Sequence, residues 1–261
     1  MSKPIHFSKY QSTGNDFILI DNRENGFQFS RAEIARLCHR KFGVGADGLI
    51  LLHAHPQFDF EMKNYNADGG ECSMCGNGGR ALIQFALDLG LKKNHFVFQA
   101  IDGVHEARIV GSQIELKMQK VTQIIETSVG PALNTGSPHL VIEVKNLLNH
   151  EVVKEGRALR NSPIFMPGGI NVNFYEQNGG NIFLRTYERG VEDETLSCGT
   201  GAIATAIITT RARHLALNES IEVPIHCQGG DLKIRFKPVS SQDFEDIWLI
   251  GPSVKTFEGV I

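Results

Sequence analysis

Two stretches of the chain carry the same four-residue pattern, Cys75-Gly76-Asn77-Gly78 and Cys198-Gly199-Thr200-Gly201. Each stands where a loop gives way to an apolar run with helical spacing. The start of a helix exposes unpaired N–H groups and a partial positive charge. A cysteine there is expected to be more acidic, with reactive thiols falling in the range of roughly 3.5–7.5. The glycines let a ligand approach the backbone closely, and a carboxylate is the natural guest of such N–H groups. Each stretch therefore offers a thiol base and an anion cradle within a few residues. Two of them facing one cleft would put two thiols around one carboxylate-bearing carbon. One thiolate would take its proton, and the other thiol would return a proton to the opposite face, inverting the centre. The backbone N–H groups would stabilise the enolate-like charge as it develops. That chemistry requires no cofactor and no metal.

The remaining cysteines are read differently. Cys38 and Cys227 have no neighbouring glycine nest and read as small buried hydrophobes. Cys72 is either packing or a partner for Cys75. The C-x-x-C it forms suggests a redox dithiol or half of a zinc site. A redox dithiol leaves Cys198 unexplained. A structural zinc site wants a second close pair, which Cys198 and Cys227 do not make. Gly43 to Gly48, "GVGADG", matches a dinucleotide-binding fingerprint, but a helix precedes it and an apolar strand follows. The order is wrong for that motif.

These sites need a scaffold, and 261 residues suffice for one large domain or two smaller ones. The hydrophobic fraction is 41% and the charged fraction 21%, ordinary for a globular protein. A net charge of −3 gives no basic footprint for nucleic acid. The N-terminal stretch lacks the apolar centre of a signal peptide. No apolar run approaches the roughly 18 residues of a membrane helix. Five scattered cysteines do not make a disulfide scaffold, so a reducing cytoplasm is expected. The oligomeric state is not legible, a homodimer being one arrangement.

Alternating or apolar runs predict strands at "HFSKY", "FILID", "LILLH", "FDFEMKNY", "HFVFQ", "HEARIV" and "IELKM". Asp102-Gly103 is a turn signal. Ser30 with Glu33 predicts a capping box opening a helix that stops before Gly43. A second helix is expected over 77–89, with Gly90 as its stop. The theme then repeats, with strands at "HLVIEV", "INVNFYE" and "NIFLRTYE" and a hairpin turn at 178–180. A helix over 200–214 follows, apolar almost all round, hence buried. Strands "IEVPIH", "DLKIRF" and "DIWLI" follow, with "QGGD" as a turn.

Aligning the two cysteines pairs Gly76 with Gly199, Gly78 with Gly201, Ala81 with Ala204 and Glu71 with Glu194. The expected fold is α+β: two pseudo-symmetric lobes, each of mostly antiparallel strands wrapped around a central helix. The first lobe is placed at 1–120, joined by 250–261, and the second at 121–249, with the boundary near the weakly patterned 118–135.

Taken together, "GNDF" (14–17), "GVGADG", "NADGGE" (66–71), "CGNG", "GSPH" (136–139), "NVNF" (171–174), "RTYERG" (185–190), "CGTGA" and "IGPSVKTFEG" resemble diaminopimelate epimerases, in the family's order and over nearly the whole chain. The resemblance implies a cofactor-independent isomerase interconverting LL- and meso-2,6-diaminoheptanedioate, in lysine and cell-wall precursor biosynthesis. It implies that Cys75 and Cys198 are the acid/base pair. Gly76, Asn77, Gly199 and Thr200 would hold the reacting carboxylate. Asn15, Asn66, Asn171, Glu188 and Arg189 would recognise the distal amino-acid end, and His139 and Glu188 would tune the thiols. An Arg fork suits a distal carboxylate, and Glu or amide oxygens suit an ammonium. Two departures stand out. Ser137 occupies the place of the Asn in the common "GNPH", and the stretch from Arg189 to Cys198 is one residue longer than usual. The related proline racemases use a similar cysteine pair, but their substrate has no distal head for "RTYERG" and "NADG" to read.

Overall fold

The computed structural model describes residues 4–213 and 216–261. His214, expected to end the second central helix, and Met1–Lys3 of the N-terminal stretch lie outside the described residues. In chain order the elements are β1 (His6–Ser12), β2 (Asn15–Asp21), α1 (Arg31–Cys38), β3 (Gly48–His53), β4 (Phe60–Asn66), β5 (Glu71–Cys72), α2 (Gly76–Asp88), β6 (His95–Ala100), β7 (Gly103–Val110) and β8 (Gln113–Lys117). They continue as β9 (Ile124–Thr127), β10 (Gly130–Asn134), β11 (Pro138–Glu143), α3 (Val152–Arg160), β12 (Asn171–Asn178), β13 (Asn181–Glu188), β14 (Asp193–Thr195), α4 (Gly199–Arg211), β15 (Ile221–Cys227), β16 (Gly230–Pro238), β17 (Phe244–Gly251) and β18 (Val254–Val260). One compact unit is built from residues up to Leu116 together with Gly251–Ile261, the other from Lys117–Ile250.

The first unit is a sheet in which β18, β1 and β2 pair antiparallel, β2 and β3 parallel, and β3 and β4 antiparallel. Strand β4 then runs parallel to β6, which continues antiparallel through β7 to β8. The second unit repeats this order, with β9, β10 and β11 antiparallel, β11 and β12 parallel, and β12 and β13 antiparallel. Its β13 runs parallel to β15, and β16 and β17 close the unit antiparallel. Most pairs are antiparallel. The parallel ones fall where a helix crosses over, as a parallel connection requires.

Strand alternation sorts the side chains of each unit onto two faces. In the second unit, Leu140, Val172, Phe174 and Tyr187 pack with Leu147 and Val152 on the α3 side. Val141, Tyr175 and Leu184 face α4, whose Ala202, Ile203, Ala206 and Ile207 are fully buried among strand residues of β15, β16 and β17. In the first unit, Ile18, Ile20, Leu49 and Leu51 pack with Ile34 and Cys38 of α1. The opposite face belongs to α2, where Gly78 lies against Ile50 and Met62.

The capping box opens α1: Ser30 N donates to Glu33 at 2.7 Å and Glu33 N donates to Ser30 Oγ at 3.3 Å. Gly90, at φ 91°, and the Gly179-Gly180 turn, at φ 57° and 89°, take the left-handed backbone that stops and hairpins were expected to need. Six elements, α3 and the strands β5, β9, β10, β14 and β18, had no clear sequence signal. Helix α3 carries Gly156 at its centre, which lowers helix propensity. A Cβ there would meet Tyr187 Cβ at 2.4 Å, so glycine is what lets α3 lie on β13. Strands β9 and β10 fill the weakly patterned 118–135, β5 has only two residues and β14 three, and β18 is exposed along nearly its whole length, so none shows alternation.

Candidate active site

Each central helix is N-capped by a cysteine of the repeated motif. Cys75 caps α2 at φ −104°, ψ 150°, and Cys198 caps α4 at φ −129°, ψ 111°. Both backbones are extended, so each sulfur sits beside the free N–H groups of the first helical turn. Sequence alignment of the two motifs is matched by sheet register. In the parallel pairs, Phe17 stands opposite Gly48 and His139 opposite Asn171. In the next pair, Gly48 faces Asn66. At these strand ends the second unit carries the polar His139 and Asn171 where the first carries Phe17 and Gly48, with Asn66 opposite Gly48.

In the first unit, Cys75 is exposed and its Sγ accepts from Gly78 N at 3.2 Å. A Cβ on Gly78 would lie 3.1 Å from that sulfur. Gly76 and Asn77 follow as buried helix residues. Asn77 Nδ2 donates to Asn15 Oδ1 at 3.3 Å, and Asn15 Nδ2 donates to Asp47 at 2.7 Å. Asn66 is exposed at the end of β4 and paired by its backbone with Gly70. Beneath this surface lies Arg80, fully buried, donating to Gly76 O at 3.2 Å, Thr13 Oγ1 at 3.2 Å and Asn77 Oδ1 at 2.9 Å. A guanidinium has only donors. It therefore fixes which end of the Asn77 amide faces inward, and Asn77 in turn orients Asn15. Cys72 sits in β5, where burial first, then the nearby Cys75 and Glu71 charges, push its thiol up to about 12.

The second unit's site is deeper. Cys198 is buried, and burial first and the Glu188 carboxylate second push its thiol above the ordinary range. The Thr200 hydroxyl and the Gly201 N–H oppose that shift. The expectation of a more acidic thiol at a helix start is therefore overturned here, because desolvation outweighs the helix terminus. Thr200 Oγ1 lies 3.5 Å from Cys198 Sγ and 2.9 Å from His139 Nε2. Burial, with the Arg189 charge acting the same way, pushes His139 down to about 3, so its ring is neutral at physiological pH. Glu188 accepts from Thr195 Oγ1 at 3.0 Å. A Cβ on Gly199 would meet Leu249 Cδ2 at 2.6 Å, so that buried side chain would have to shift to admit one.

Asn171 is buried. Its Nδ2 donates to Ser137 Oγ at 2.8 Å and Pro138 O at 2.9 Å, and its Oδ1 accepts from Arg189 N at 2.8 Å. It thus braces the turn that presents Arg189, whose Nη1 donates to Gly168 O at 3.1 Å. Ser137 is in the same cluster. Arg80 and Asn173 escaped the sequence reading. Their signals were an Arg inside an apolar helix face and a second Asn two residues after Asn171, on the same face of β12. Among the described residues no group of three or more His, Cys, Asp or Glu has metal-binding proximity, and no helix is long and apolar enough to cross a membrane.

Two cysteines of one repeated motif, each capping the central helix of its half, define a class of duplicated folds with a thiol in each half. The family model for diaminopimelate epimerase matches residues 7–124 and 131–255. The diaminopimelate epimerase of Flavobacterium psychrophilum is 47% identical over 256 residues, covering 97% of this chain and 98% of that protein. The one from Chlorobaculum tepidum is 38% identical, covering 95% and 98%. Among solved structures, a Bacillus anthracis phenazine biosynthesis protein of the PhzF family shares the fold with TM-score 0.73 at 16% identity, over 99% of each chain. A hydroxyproline epimerase from Agrobacterium vitis does so with TM-score 0.65 at 13% identity, over 99% of this chain and 92% of that one. This chain belongs to the diaminopimelate epimerase family.

Proposed function

We propose that this protein is a cofactor-independent isomerase of the cytoplasm that interconverts LL- and meso-2,6-diaminoheptanedioate, in lysine and cell-wall precursor biosynthesis. The observation that carries the reading is the pair of N-capping cysteines at matched positions of the two halves. In this reading the two sulfurs act on opposite faces of one α-carbon. The N–H groups of Gly76, Asn77, Gly199 and Thr200 receive the carboxylate and the charge that develops on it. Cys198, kept protonated by burial, is suited to give a proton, and the Thr200 hydroxyl is placed to stabilise the thiolate left behind. Cys75, exposed and bonded to a backbone N–H, is suited to take one, since that hydrogen bond favours charge on sulfur. In the reverse direction the roles exchange. Glu188, Arg189, Asn15 and Asn66 read the distal head, with Asn171 and Ser137 supporting the Arg189 turn.

The residue types of Asn66 and Arg189 suit recognition of a second amino-acid head, and that favours diaminoheptanedioate over proline. The test is an epimerisation assay of LL- and meso-diaminoheptanedioate beside L-proline. Turnover of the former alone is expected; racemisation of proline with no reaction of diaminoheptanedioate would overturn the reading.

A further inference from the structure

Asn173 is fully buried on β12, two residues beyond Asn171, facing α4. Its Nδ2 lies 2.9 Å from Leu140 O and 3.0 Å from His139 Nδ1, while its Oδ1 accepts from Thr186 Oγ1 at 3.0 Å. The Leu140 carbonyl can only accept. The amide nitrogen must therefore be on that side, because the flipped amide would set two oxygens against each other. With one Nδ2 hydrogen on Leu140 O, the other points at His139 Nδ1, which must then be the unprotonated nitrogen of the ring. The single ring proton is on Nε2 and is donated to Thr200 Oγ1 at 2.9 Å. Thr200 already accepts there, so its own proton is free to turn onto Cys198 Sγ, 3.5 Å away.

A second observation places the same amide in the machinery. A Cβ on Gly201 would lie 2.3 Å from Asn173 Oδ1. That oxygen is held by Thr186 and has no slack. The second glycine of the Cys198 motif is thus the space that Asn173 occupies, not only a helix start.

We propose that Asn173 is a positioning residue: it locks the neutral His139 in its Nε2–H tautomer and so commits the Thr200 hydroxyl proton to Cys198. His139 then has no free lone pair toward Thr200. It works as a fixed donor, not as a proton acceptor in relay with the thiol. The effect on catalysis rests on the proposed two-thiol reading; the tautomer does not.

The test is nitrogen NMR of protein labelled with ¹⁵N in its imidazoles, with the His139 signals assigned by their loss in His139→Gln. The expected wild-type result is a bare Nδ1 and a protonated Nε2. Asn173→Asp places an acceptor opposite Nδ1 and should protonate that nitrogen. If Asn173→Asp does not fold, Gly201→Ala, which pushes on the same oxygen, should shift the His139 signals toward a mixture of tautomers. In turnover of diaminoheptanedioate, Asn173→Asp should lower kcat about tenfold or more with little change in KM, as should Thr200→Val, while Thr200→Ser retains activity. A wild-type His139 protonated at Nδ1, or unchanged signals in a folded Asn173→Asp or Gly201→Ala protein, would overturn the proposal. The expected NMR pattern in a protein that does not epimerise diaminoheptanedioate would instead leave the tautomer lock standing and overturn the functional reading.

Discussion

The two halves hold equivalent groups by opposite means. Asn77 and Thr200 both stand two residues after the capping cysteine, and each must point its side chain at the site. In the first unit the orienting group comes from the helix: Arg80, one turn on, clamps Asn77 Oδ1. In the second unit it comes from the strands: His139 and Asn173 together fix Thr200. Register makes the exchange explicit. Phe17 occupies the place of His139, and Ile50 that of Asn173. Ile203 occupies the place of Arg80, five residues after the cysteine. A duplicated fold thus keeps the backbone device, the N-terminal thiol, and lets the buried polar support move from layer to layer. What has to be conserved in physical terms is that each inward polar group is satisfied; which element satisfies it is free.

If the two thiols are equal partners, losing either should be the largest effect. Cys75→Ala and Cys198→Ala should each lower epimerisation by roughly 10³-fold or more, since proton transfer needs both partners in position. Stopped or chiral assays of each variant measure it, and near-wild-type turnover by either would break the comparison. The next effect sharpens it. Arg80→Ile gives the first helix the residue type its counterpart carries. The carbonyl of Gly76 and the amide of Asn77 then lose a buried donor, at a cost of about 2–4 kcal/mol in stability. Denaturant unfolding and kcat/KM should both show the loss; a neutral variant would mean Arg80 does not support the site.

The sequence announced the paired thiols and most strands because both leave short-range signals: a motif and an alternation. It could not announce α3, whose central Gly156 reads as a break until Tyr187 is seen to fill the space over it. The roles of the site's amides were harder. Asn171 reads as a contact for the substrate, and in the fold its Nδ2 hydrogens also reach Ser137 and Pro138. Only three-dimensional neighbours reveal that. Cys198 misled for the same reason. A helix terminus is visible in sequence, whereas the burial that opposes it is a property of the packed core.

Smaller effects separate the surface of the site from its interior. Arg189→Lys should raise KM about tenfold with kcat less affected, because a point charge cannot reproduce a two-pronged carboxylate contact. Unaltered kinetics would remove Arg189 from substrate recognition. The last effect is on stability and builds up only in acid. His139 stays neutral when folded down to about pH 3 but would charge near 6.5 when unfolded. The unfolded chain therefore binds the extra proton in that window, and stability falls as pH drops below about 6.5, by up to about 1.4 kcal/mol per pH unit from this residue. His139→Gln should flatten that part of a Tm-against-pH curve. An identical acid slope in the variant would assign it to other groups.

The central claim is that two thiols work as opposed halves of one proton-transfer device, and first-turnover isotope transfer in D₂O tests it most directly. The near thiolate takes the substrate hydrogen, and the far thiol, already exchanged with solvent, delivers deuterium to the inverted product. Inverted diaminoheptanedioate should therefore carry deuterium at the reacting carbon from the first turnover, while unreacted substrate gains little. Substrate-derived hydrogen retained in the inverted product would mean that one base serves both faces, and the account of the two cysteines would be wrong.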